Sequence, residues 1–223
     1  MLFLIWPFRM EPDGSEHQMI ASEENHRDEG ALTRWRDNQR ARLLEIRANM
    51  SVAARHAASE SVAEHLDTLI ADRCGPVAGL TISAWWPIKA ELNLRHWLER
   101  LIARGVRVAL PVVVARATPL VFRPWKPDCQ MVQGFWKIPV PAEGPEVVPD
   151  IMLAPLVGWD DAGYRLGYGG GCFDRTLAAL ALRPVVIGVG LAATRIPTVF
   201  PQPYDIAMDK IVTEAGVQSG AGT

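Results

Sequence analysis

A dense run of glycines lies between charged residues in the segment DAGYRLGYGGGCFDRTLAAL, which spans Asp161 to Leu180. Arg165 precedes the run, Asp174 follows it, and an apolar, helix-like segment comes next. Where a glycine-rich turn leads into a helix, backbone N–H groups and the positive end of the helix dipole bind anions such as phosphate. Arg165 is suited to clamp a phosphate with paired hydrogen bonds, whereas Asp174 can reach one only through a cation such as Mg²⁺.

Two well-known phosphate loops do not fit this segment. A G-x-G-x-x-G fingerprint counted from Gly167 would need its third glycine at Cys172, and a P-loop needs Gly-Lys followed by Ser or Thr, whereas Gly171 precedes Cys172. These mismatches argue against a dinucleotide-dependent dehydrogenase and a P-loop ATPase. The spacing alone leaves open a tight strand-to-helix turn in which Asp174 only complements the helix dipole.

The elements that must position this loop alternate between strands and helices. The apolar patterns predict helices at 34–46, 51–72, 92–105 and 173–182, and strands at 80–86, 106–114, 151–158, 184–192 and 210–214, with an antiparallel partner at 119–125. This order predicts an α/β fold with a mainly parallel sheet and helices on both faces, a Rossmann-like three-layer α/β/α arrangement with an N-terminal helical pair. Because ligands bind beyond the carboxyl ends of such strands, the loop, which we expect to leave the 151–158 strand, lies on the functional side.

The composition is that of an ordinary globular protein, with 223 residues, 49% hydrophobic and 22% charged. A net charge of −2 provides no basic field for nucleic acid. Three cysteines without CxxC spacing predict reduced thiols and a cytoplasmic location. The apolar start MLFLIWPFRM is too short for a membrane helix. We expect a flexible extension at 1–30, one domain at 31–217 and a loose tail at 218–223. A peripheral membrane tag, or a start codon placed too early, is the alternative for the first segment.

Five segments, in order along residues 34–214, resemble the 5-formyltetrahydrofolate cyclo-ligase family, also called methenyltetrahydrofolate synthetase. GYRLGYGGGCFDRTLA resembles the family signature, which is close to G-x-RLG-x-G-x-GYYD, and FPQPYDIAMDKIVTE resembles the C-terminal segment. FWKIPVPAEGPE resembles the W-x-IP-x-P loop, and WWPIKAELNLRHWLERLIARGVRVALP a segment with a glutamate, a helix and a strand ending in Leu-Pro. RDNQRARLLEIRANMSVAARHAAS resembles the N-terminal basic helix. One such match would be weak, but the combination is specific.

The resemblance implies a ring-closing C–N ligase of one-carbon metabolism. With ATP and Mg²⁺, such an enzyme converts 5-formyltetrahydrofolate into 5,10-methenyltetrahydrofolate and releases ADP and phosphate. The family's route activates the formyl oxygen by phosphoryl transfer, after which the folate N10 attacks the formyl carbon and phosphate departs. Because neither step needs a nucleophile from the protein, positioning and charge neutralisation do most of the catalysis. The implied partners are folate and ATP, without nucleic acid or membrane, and we expect a monomer.

The resemblance also implies roles for residues around the glycine loop. Arg165 is the expected catalytic residue, and Asp174 and Asp205 are the expected ligands of Mg²⁺. The expected ATP-binding residues are Arg36, Arg40, Arg165, Gly167, Tyr168, Gly169, Gly170, Gly171, Cys172 and Phe173. Arg36 replaces the family's usual lysine, and its i,i+4 spacing from Arg40 puts both guanidinium groups on one helix face. A solvated basic face, with Arg34, Arg42 and Arg47 nearby, is the alternative.

Trp86, Glu91 and Trp136 match the folate-pocket positions of the family. Trp136 is suited to stack on the flat pterin, and Glu91 to accept hydrogen bonds from its amino and ring N–H groups. Trp86 fits the pocket or the core equally well, whereas Trp85, on the opposite strand face, is predicted to be core.

Three positions depart from the family pattern. Cys172 and Phe173 replace a tyrosine pair, and Val140 stands where many members have glutamate. A lowered thiol pKa is conceivable for Cys172 at a helix N-terminus, but a small packed side chain is the favoured interpretation. A divergent paralogue that binds nucleotide or folate and turns over another substrate, or none, is therefore the alternative function. A phosphosugar isomerase or acyl-CoA-type enzyme is the third, because fold alone does not fix function.

Overall fold

In the computed structural model of the chain, residues 14–219 are described, with side chains from 29 to 218. The helices are α1 (Gly14–Ala48), α2 (Val52–Cys74), α3 (Arg95–Ala103) and α4 (Cys172–Ala179), with 3₁₀ turns at Phe135–Lys137 and Ala192–Thr194. The strands are β1 (Thr81–Ser83), β2 (Arg107–Val112), β3 (Val121–Trp125), β4 (Met131–Gln133), β5 (Pro139–Pro141), β6 (Ile151–Pro155), β7 (Gly158–Trp159), β8 (Arg165–Leu166), β9 (Val185–Val189), β10 (Lys210–Thr213) and β11 (Gly216–Ser219).

Seven strands form the main sheet in the order β11-β10-β9-β6-β1-β2-β3. The five inner strands run parallel, and antiparallel β11 and β3 close the two edges. This topology confirms the predicted α/β fold and the antiparallel partner at 119–125. The hairpins β4-β5 and β7-β8 and the edge strand β11 were not predicted, because strands this short show too little alternation to identify.

Strand β6 shows how both faces of the sheet are buried. Ile151 and Leu153 belong to one core, and Met152 and Ala154, whose side chains point the other way, belong to the second. Helices α2 and α3 contribute buried residues to the first core, and α4 contributes Leu177 to the second. The predicted coverage of both faces is confirmed, and it explains why this strand reads as a continuous apolar run.

The chain divides into two compact units, Met1–Asp37 and Asn38–Thr223. Helix α1 begins at Gly14, well before the predicted start at residue 34. Periodicity misses the early part of α1 because residues 14–30, GSEHQMIASEENHRDEG, are mostly polar and provide no repeating apolar position. The division into extension, domain and tail stays a prediction, and residues 1–13 and 220–223 lie outside the described residues. Between residues 14 and 219, none of the helices combines the length and apolar character that a membrane crossing requires.

Helix α2 begins at Val52, within one residue of its predicted start. Ser51 is its N-cap, because its Oγ accepts a hydrogen bond from the Ala54 backbone N–H at 3.1 Å. The loop entry was predicted less accurately, because the glycine loop does not leave β6 directly. Hairpin β7-β8 intervenes, and the loop begins after Leu166.

Gly158 lets helix α1 approach this hairpin closely. A Cβ on Gly158 would lie only 2.5 Å from Cδ1 of Leu43, which is fully buried. Leu43 therefore packs directly on the backbone of β7, and larger residues at position 158 would push α1 away. This contact positions the C-terminal part of α1 beside the glycine loop.

Candidate active site

The glycine loop contains two kinds of glycine. Gly169 (φ +91°) and Gly171 (φ +62°) occupy the left-handed region, where other residues are strained. Gly167 and Gly170 lie outside that region, so their backbone conformation does not demand glycine. Gly171 is the N-cap of α4 and makes no side-chain capping bond, which leaves the first backbone N–H groups of the helix available to a ligand.

Arg40 of helix α1 reaches this loop. Its Nε donates a hydrogen bond to the carbonyl of Gly167 at 2.7 Å. The guanidinium carbon lies 3.5 Å from the point where a Cβ on Gly169 would be. The structure thus brings Arg40 over the predicted phosphate loop. Arg36 belongs to the first compact unit, so its predicted contact with ATP stays a prediction.

Arg165 and Asp174 form an ion pair beside the loop. Arg165 Nη2 lies 2.7 Å from Asp174 Oδ2, and the side chains are only 7% and 16% exposed. The guanidinium carbon also lies 5.5 Å from the centre of the Phe173 ring. This short, shielded, charge-assisted bond and a longer one from Nη1 to the Ile206 carbonyl oxygen at 3.4 Å hold Arg165 in one orientation, and its remaining N–H groups can bind a ligand.

The two segments predicted to bind a metal meet at Asp174. Its Oδ1 accepts a hydrogen bond from the backbone N–H of Ile206, the residue after Asp205, at 3.1 Å. Asp205 Oδ2 accepts one from Gln202 N at 2.8 Å. Among the described side chains, no group of three or more His, Cys, Asp or Glu could hold a metal ion. A cation bound here would therefore take further oxygen ligands from a substrate or from water.

Glu91 lies at the end of a tight turn and is only 6% exposed. Lys89 and Ala90 adopt positive φ values of 45° and 60°, which are unfavourable for residues with a Cβ. The Glu91 carboxylate stabilises this turn itself, because Oε2 accepts from the Ile88 backbone N–H at 2.9 Å. Strain of this kind persists where surrounding contacts enforce it and is typical of functional sites. The turn fixes the direction of the carboxylate.

Tyr168 joins the glycine loop to Glu91. Its hydroxyl donates to Glu91 Oε1 at 3.0 Å and accepts a hydrogen bond from Arg47 Nη2. Lys89 Nζ lies 5.1 Å from the ring centre. Burial and the nearby Glu91 charge raise the pKa of Tyr168 to about 12, so the hydroxyl keeps its proton. Tyr168 was expected only among the ATP-binding residues, but its side chain faces a predicted folate residue.

Arg47 is the functional candidate that the sequence analysis missed, because it was grouped with a solvated basic face. It is only 4% exposed. A usable signal was present, since Arg40, Leu43 and Arg47 share one helix face at i, i+3 and i+7. Leu43 is the apolar member of that face, so its neighbours on either side point inward.

The two candidate pocket tryptophans differ in their surroundings. Trp136 is 57% exposed with φ +52°, and its Cη2 lies 3.9 Å from the point where a Cβ on Gly170 would be. Trp86 is half-buried against the first core, with the Arg95 guanidinium carbon 4.9 Å from its ring centre. Trp85 is buried in that core, as predicted. The structure therefore brings Trp136 to the glycine loop and places Trp86 at the edge of the core.

Cys172 is a packed side chain at the start of α4. Its Sγ lies 3.7 Å from the Gly170 carbonyl oxygen and packs against the second core. Burial raises the pKa of its thiol and outweighs the opposing charge of Arg175. The alternative of a lowered thiol pKa is therefore wrong, and the favoured interpretation of a small packed side chain agrees with the structure.

Comparison with known proteins identifies the family to which the chain is similar. The sequence profile of the 5-formyltetrahydrofolate cyclo-ligase family matches residues 32–214. The Haemophilus influenzae 5-formyltetrahydrofolate cyclo-ligase is 28% identical and aligns over 81% of this chain and 98% of its own length. The Mycolicibacterium smegmatis 5-formyltetrahydrofolate cyclo-ligase is 29% identical and aligns over 81% of this chain and 94% of its own length. The solved structure of the Aquifex aeolicus 5,10-methenyltetrahydrofolate synthetase superposes with a TM-score of 0.68, at 26% identity, over 82% of this chain and 92% of that one.

Proposed function

Because the chain belongs to the 5-formyltetrahydrofolate cyclo-ligase family, we propose that it converts 5-formyltetrahydrofolate into 5,10-methenyltetrahydrofolate, with ATP as co-substrate and Mg²⁺ as the metal. The family match and the curated relatives confirm the family and the enzyme class that the sequence predicted. The observation that carries the proposal for the site is that one loop has a cationic side and a carboxylate side. Arg40 and the Arg165–Asp174 pair flank the loop, and Tyr168 connects it to Glu91.

The cationic side is the ATP subsite. The loop from Gly167 to Phe173 holds the phosphates through backbone N–H groups at the start of α4. Arg40 and Arg165 neutralise phosphate charge, and Arg36 remains an expected ATP-binding residue. In the reaction, the formyl oxygen attacks the γ-phosphorus and ADP leaves. N10 then attacks the activated carbon, phosphate departs, and N10 releases its proton to water. Arg165 is the catalytic residue because charge on the transferred phosphoryl group is the main quantity to stabilise.

Asp174 and Asp205 are the proposed metal ligands. Two carboxylates suit Mg²⁺, which is commonly bound through one or two carboxylates together with substrate phosphates and water. Each oxygen of the Asp174 carboxylate has a second lone pair beyond its bond to Arg165 or to Ile206. When bound, Mg²⁺ supplies positive charge that the loop backbone alone lacks.

The carboxylate side is the folate subsite. Glu91 accepts hydrogen bonds from the pterin amino and ring N–H groups, and Trp136 provides an exposed aromatic wall beside Gly170. Trp86 closes the subsite from the core edge. The aromatic and carboxylate groups set the orientation that brings the formyl oxygen to the phosphates. We place this reaction in the cytoplasm, where the free cysteines Cys74, Cys129 and Cys172 stay reduced. We also propose that the enzyme is a monomer.

A turnover assay tests the function directly. Purified protein with 5-formyltetrahydrofolate, ATP and Mg²⁺ is expected to produce the near-ultraviolet absorbance of 5,10-methenyltetrahydrofolate, and none when ATP or Mg²⁺ is omitted. Folded protein that gives no product under these conditions would contradict the proposal. Binding of folate or nucleotide without product would indicate the divergent paralogue instead.

Gly170→Ala tests the phosphate loop without disturbing the fold. Gly170 lies outside the left-handed region, and its added Cβ would meet Cys172 Sγ at 3.4 Å and Trp136 at 3.9 Å, which are ordinary contacts. We expect the KM for ATP to rise at least about tenfold, because a methyl group blocks close approach of phosphate, with little change in Tm. ATP titration in the turnover assay and thermal melting measure the two effects.

Gly171→Ala is the matched comparison for this prediction. Gly171 has φ +62°, and its Cβ would lie 2.8 Å from Arg175 Nη1. Gly171→Ala should therefore lower the free energy of unfolding by about 1 kcal/mol or more. Normal ATP affinity and turnover in well-folded Gly170→Ala protein would remove the loop's role as a phosphate cradle.

A further inference from the structure

We propose that Arg47 is a positioning residue for folate recognition, which acts through the Tyr168 hydroxyl to hold Glu91 as an ionised acceptor aimed at the pterin. The inference rests on the proposed function and adds to it a residue outside the expected site. Arg47 is not itself one of the expected binding residues. It contacts two residues that are, Tyr168 and Glu91.

The hydrogen-bond chain has a fixed direction. Arginine carries donors only, so the Arg47–Tyr168 bond makes the Tyr168 oxygen an acceptor. The single hydroxyl proton of Tyr168 is then directed at Glu91 Oε1, 3.0 Å away. Because Ile88 N–H already donates to Oε2, both oxygens of Glu91 are held as acceptors. An acceptor-only carboxylate is the partner that pterin N–H donors require.

The charges around Glu91 also favour its ionised form. Arg47 Nη1 lies 3.9 Å from Glu91 Oε1, with both side chains almost completely buried. Burial raises the pKa of Glu91, whereas the Ile88 N–H, the Arg47 charge and the Tyr168 hydroxyl act in the opposite direction. Lys89, on the turn itself, faces the Tyr168 ring rather than the carboxylate. Arg47 is therefore the buried cation that opposes protonation of Glu91.

A further observation separates Arg47 from a residue kept only for packing. Its Nε is buried and, within the part of the chain that the structure describes, has no hydrogen-bond partner. Arg47, Trp85 and Glu91 line a common small cavity. Retaining a buried donor without a partner is unfavourable. A hydrophobic side chain of similar length would avoid that cost, so the charge and the Nη donors explain the arginine better than its volume does.

Arg47→Met tests the inference through the pH dependence of folate recognition. Without the cation, Glu91 binds its proton at higher pH, so folate affinity is lost earlier as the pH falls. We expect the pH below which the folate KM begins to rise to move upward by about one unit or more. The KM for ATP should stay within about twofold of wild type at every pH, since the variant leaves the phosphate contacts intact.

Three variants complete the experiment. Arg42→Met removes an exposed arginine from the same helix and should leave the profile unchanged. Arg47→Lys keeps the charge and should restore most of the wild-type profile. Tyr168→Phe removes only the hydroxyl and should shift the profile in the same direction as Arg47→Met, but less. If Arg47→Met does not fold, Tyr168→Phe decides: an unshifted profile contradicts the inference.

The outcomes separate this inference from the proposed function. A folate KM profile for Arg47→Met that superposes on wild type, even with a lower Tm, would overturn the positioning role. Calorimetric titration with 5-formyltetrahydrofolate gives the same pH profile without turnover. Arg47-dependent folate binding in a protein that forms no product would support the inference and overturn the ligase function.

Discussion

Replacing Arg165 with methionine is expected to lower kcat for 5,10-methenyltetrahydrofolate formation by about 10³-fold. Arg165 is the cation that the Asp174 bond holds in place beside the loop. Removing a preorganised donor to a transferred phosphoryl group or to an oxyanion typically costs two or more orders of magnitude in kcat. Folate binding should change far less, because Arg165 contacts Asp174 and the Phe173 ring, whereas Glu91 contacts Tyr168 and Arg47. Stopped-flow or steady-state absorbance at saturating ATP and folate measures the effect.

Stability must be separated from catalysis in this variant. The Arg165–Asp174 pair is largely buried, and removing one partner leaves an uncompensated charge that can cost about 3 kcal/mol. The double variant Arg165→Met/Asp174→Asn removes both charges and should recover much of the Tm. It should recover none of the kcat, since both proposed phosphate-side roles are gone.

Arg165→Lys tests whether the charge of Arg165 alone is sufficient. Lysine retains the charge but lacks the planar fork that contacts Asp174 and a ligand together. An intermediate kcat is expected. Near-normal kcat in Arg165→Met would mean that Arg165 serves only to position Asp174 and the Phe173 ring, and the catalytic assignment would be withdrawn.

The sequence predicted the fold well because long apolar strands leave a clear pattern. The 151–158 segment was assigned to a buried parallel strand, and β6 sends alternate side chains into two cores. The same reasoning failed at hairpin β7-β8, where strands of two residues have no period. It also failed for the beginning of α1, where residues 14–30 are mostly polar and show no apolar period.

The residues of the candidate site also differ in whether the sequence could predict them. The positions of Arg165 and Asp174 beside the loop could be predicted because a glycine run between charged residues has a physical meaning, and that of Arg40 from the resemblance to the family. Arg47 could not, since its role depends on the turn at Glu91 and on the direction of the Tyr168 side chain. Both are tertiary features, created where Leu43 packs on Gly158 and brings the helix to the loop. The helical spacing of Arg47 from Arg40 and Leu43 indicates which way its side chain points, but not which residues it contacts.

Glu91→Gln is expected to produce the largest loss of folate recognition, a fall in kcat/KM for 5-formyltetrahydrofolate of about 10² to 10³. Glutamine has one acceptor oxygen, and its amide donors would face the pterin's own N–H groups. Sites built to hydrogen-bond a substrate discriminate strongly when that complementarity is lost. The KM for ATP should remain near wild type.

The pH dependence gives Glu91→Gln a second signature. In the wild type, burial raises the pKa of Glu91, so protonation as the pH falls should increase the folate KM. Glutamine does not titrate, and the folate KM of the variant should be uniformly high and flat across the same pH range. Glu64→Gln, an exposed substitution on α2, is the matched control and should behave as wild type.

A loss of folding must again be excluded, because Glu91→Gln leaves the buried Arg47 charge without its counter-charge. That change can cost about 3 kcal/mol or more. The double variant Arg47→Met/Glu91→Gln removes the unpaired charge, so Tm should rise above that of Glu91→Gln while folate recognition stays lost. If instead the double variant regains folate affinity, the defect of Glu91→Gln lies in the unpaired arginine. Glu91 would then be a structural partner of Arg47 and not the acceptor of the pterin.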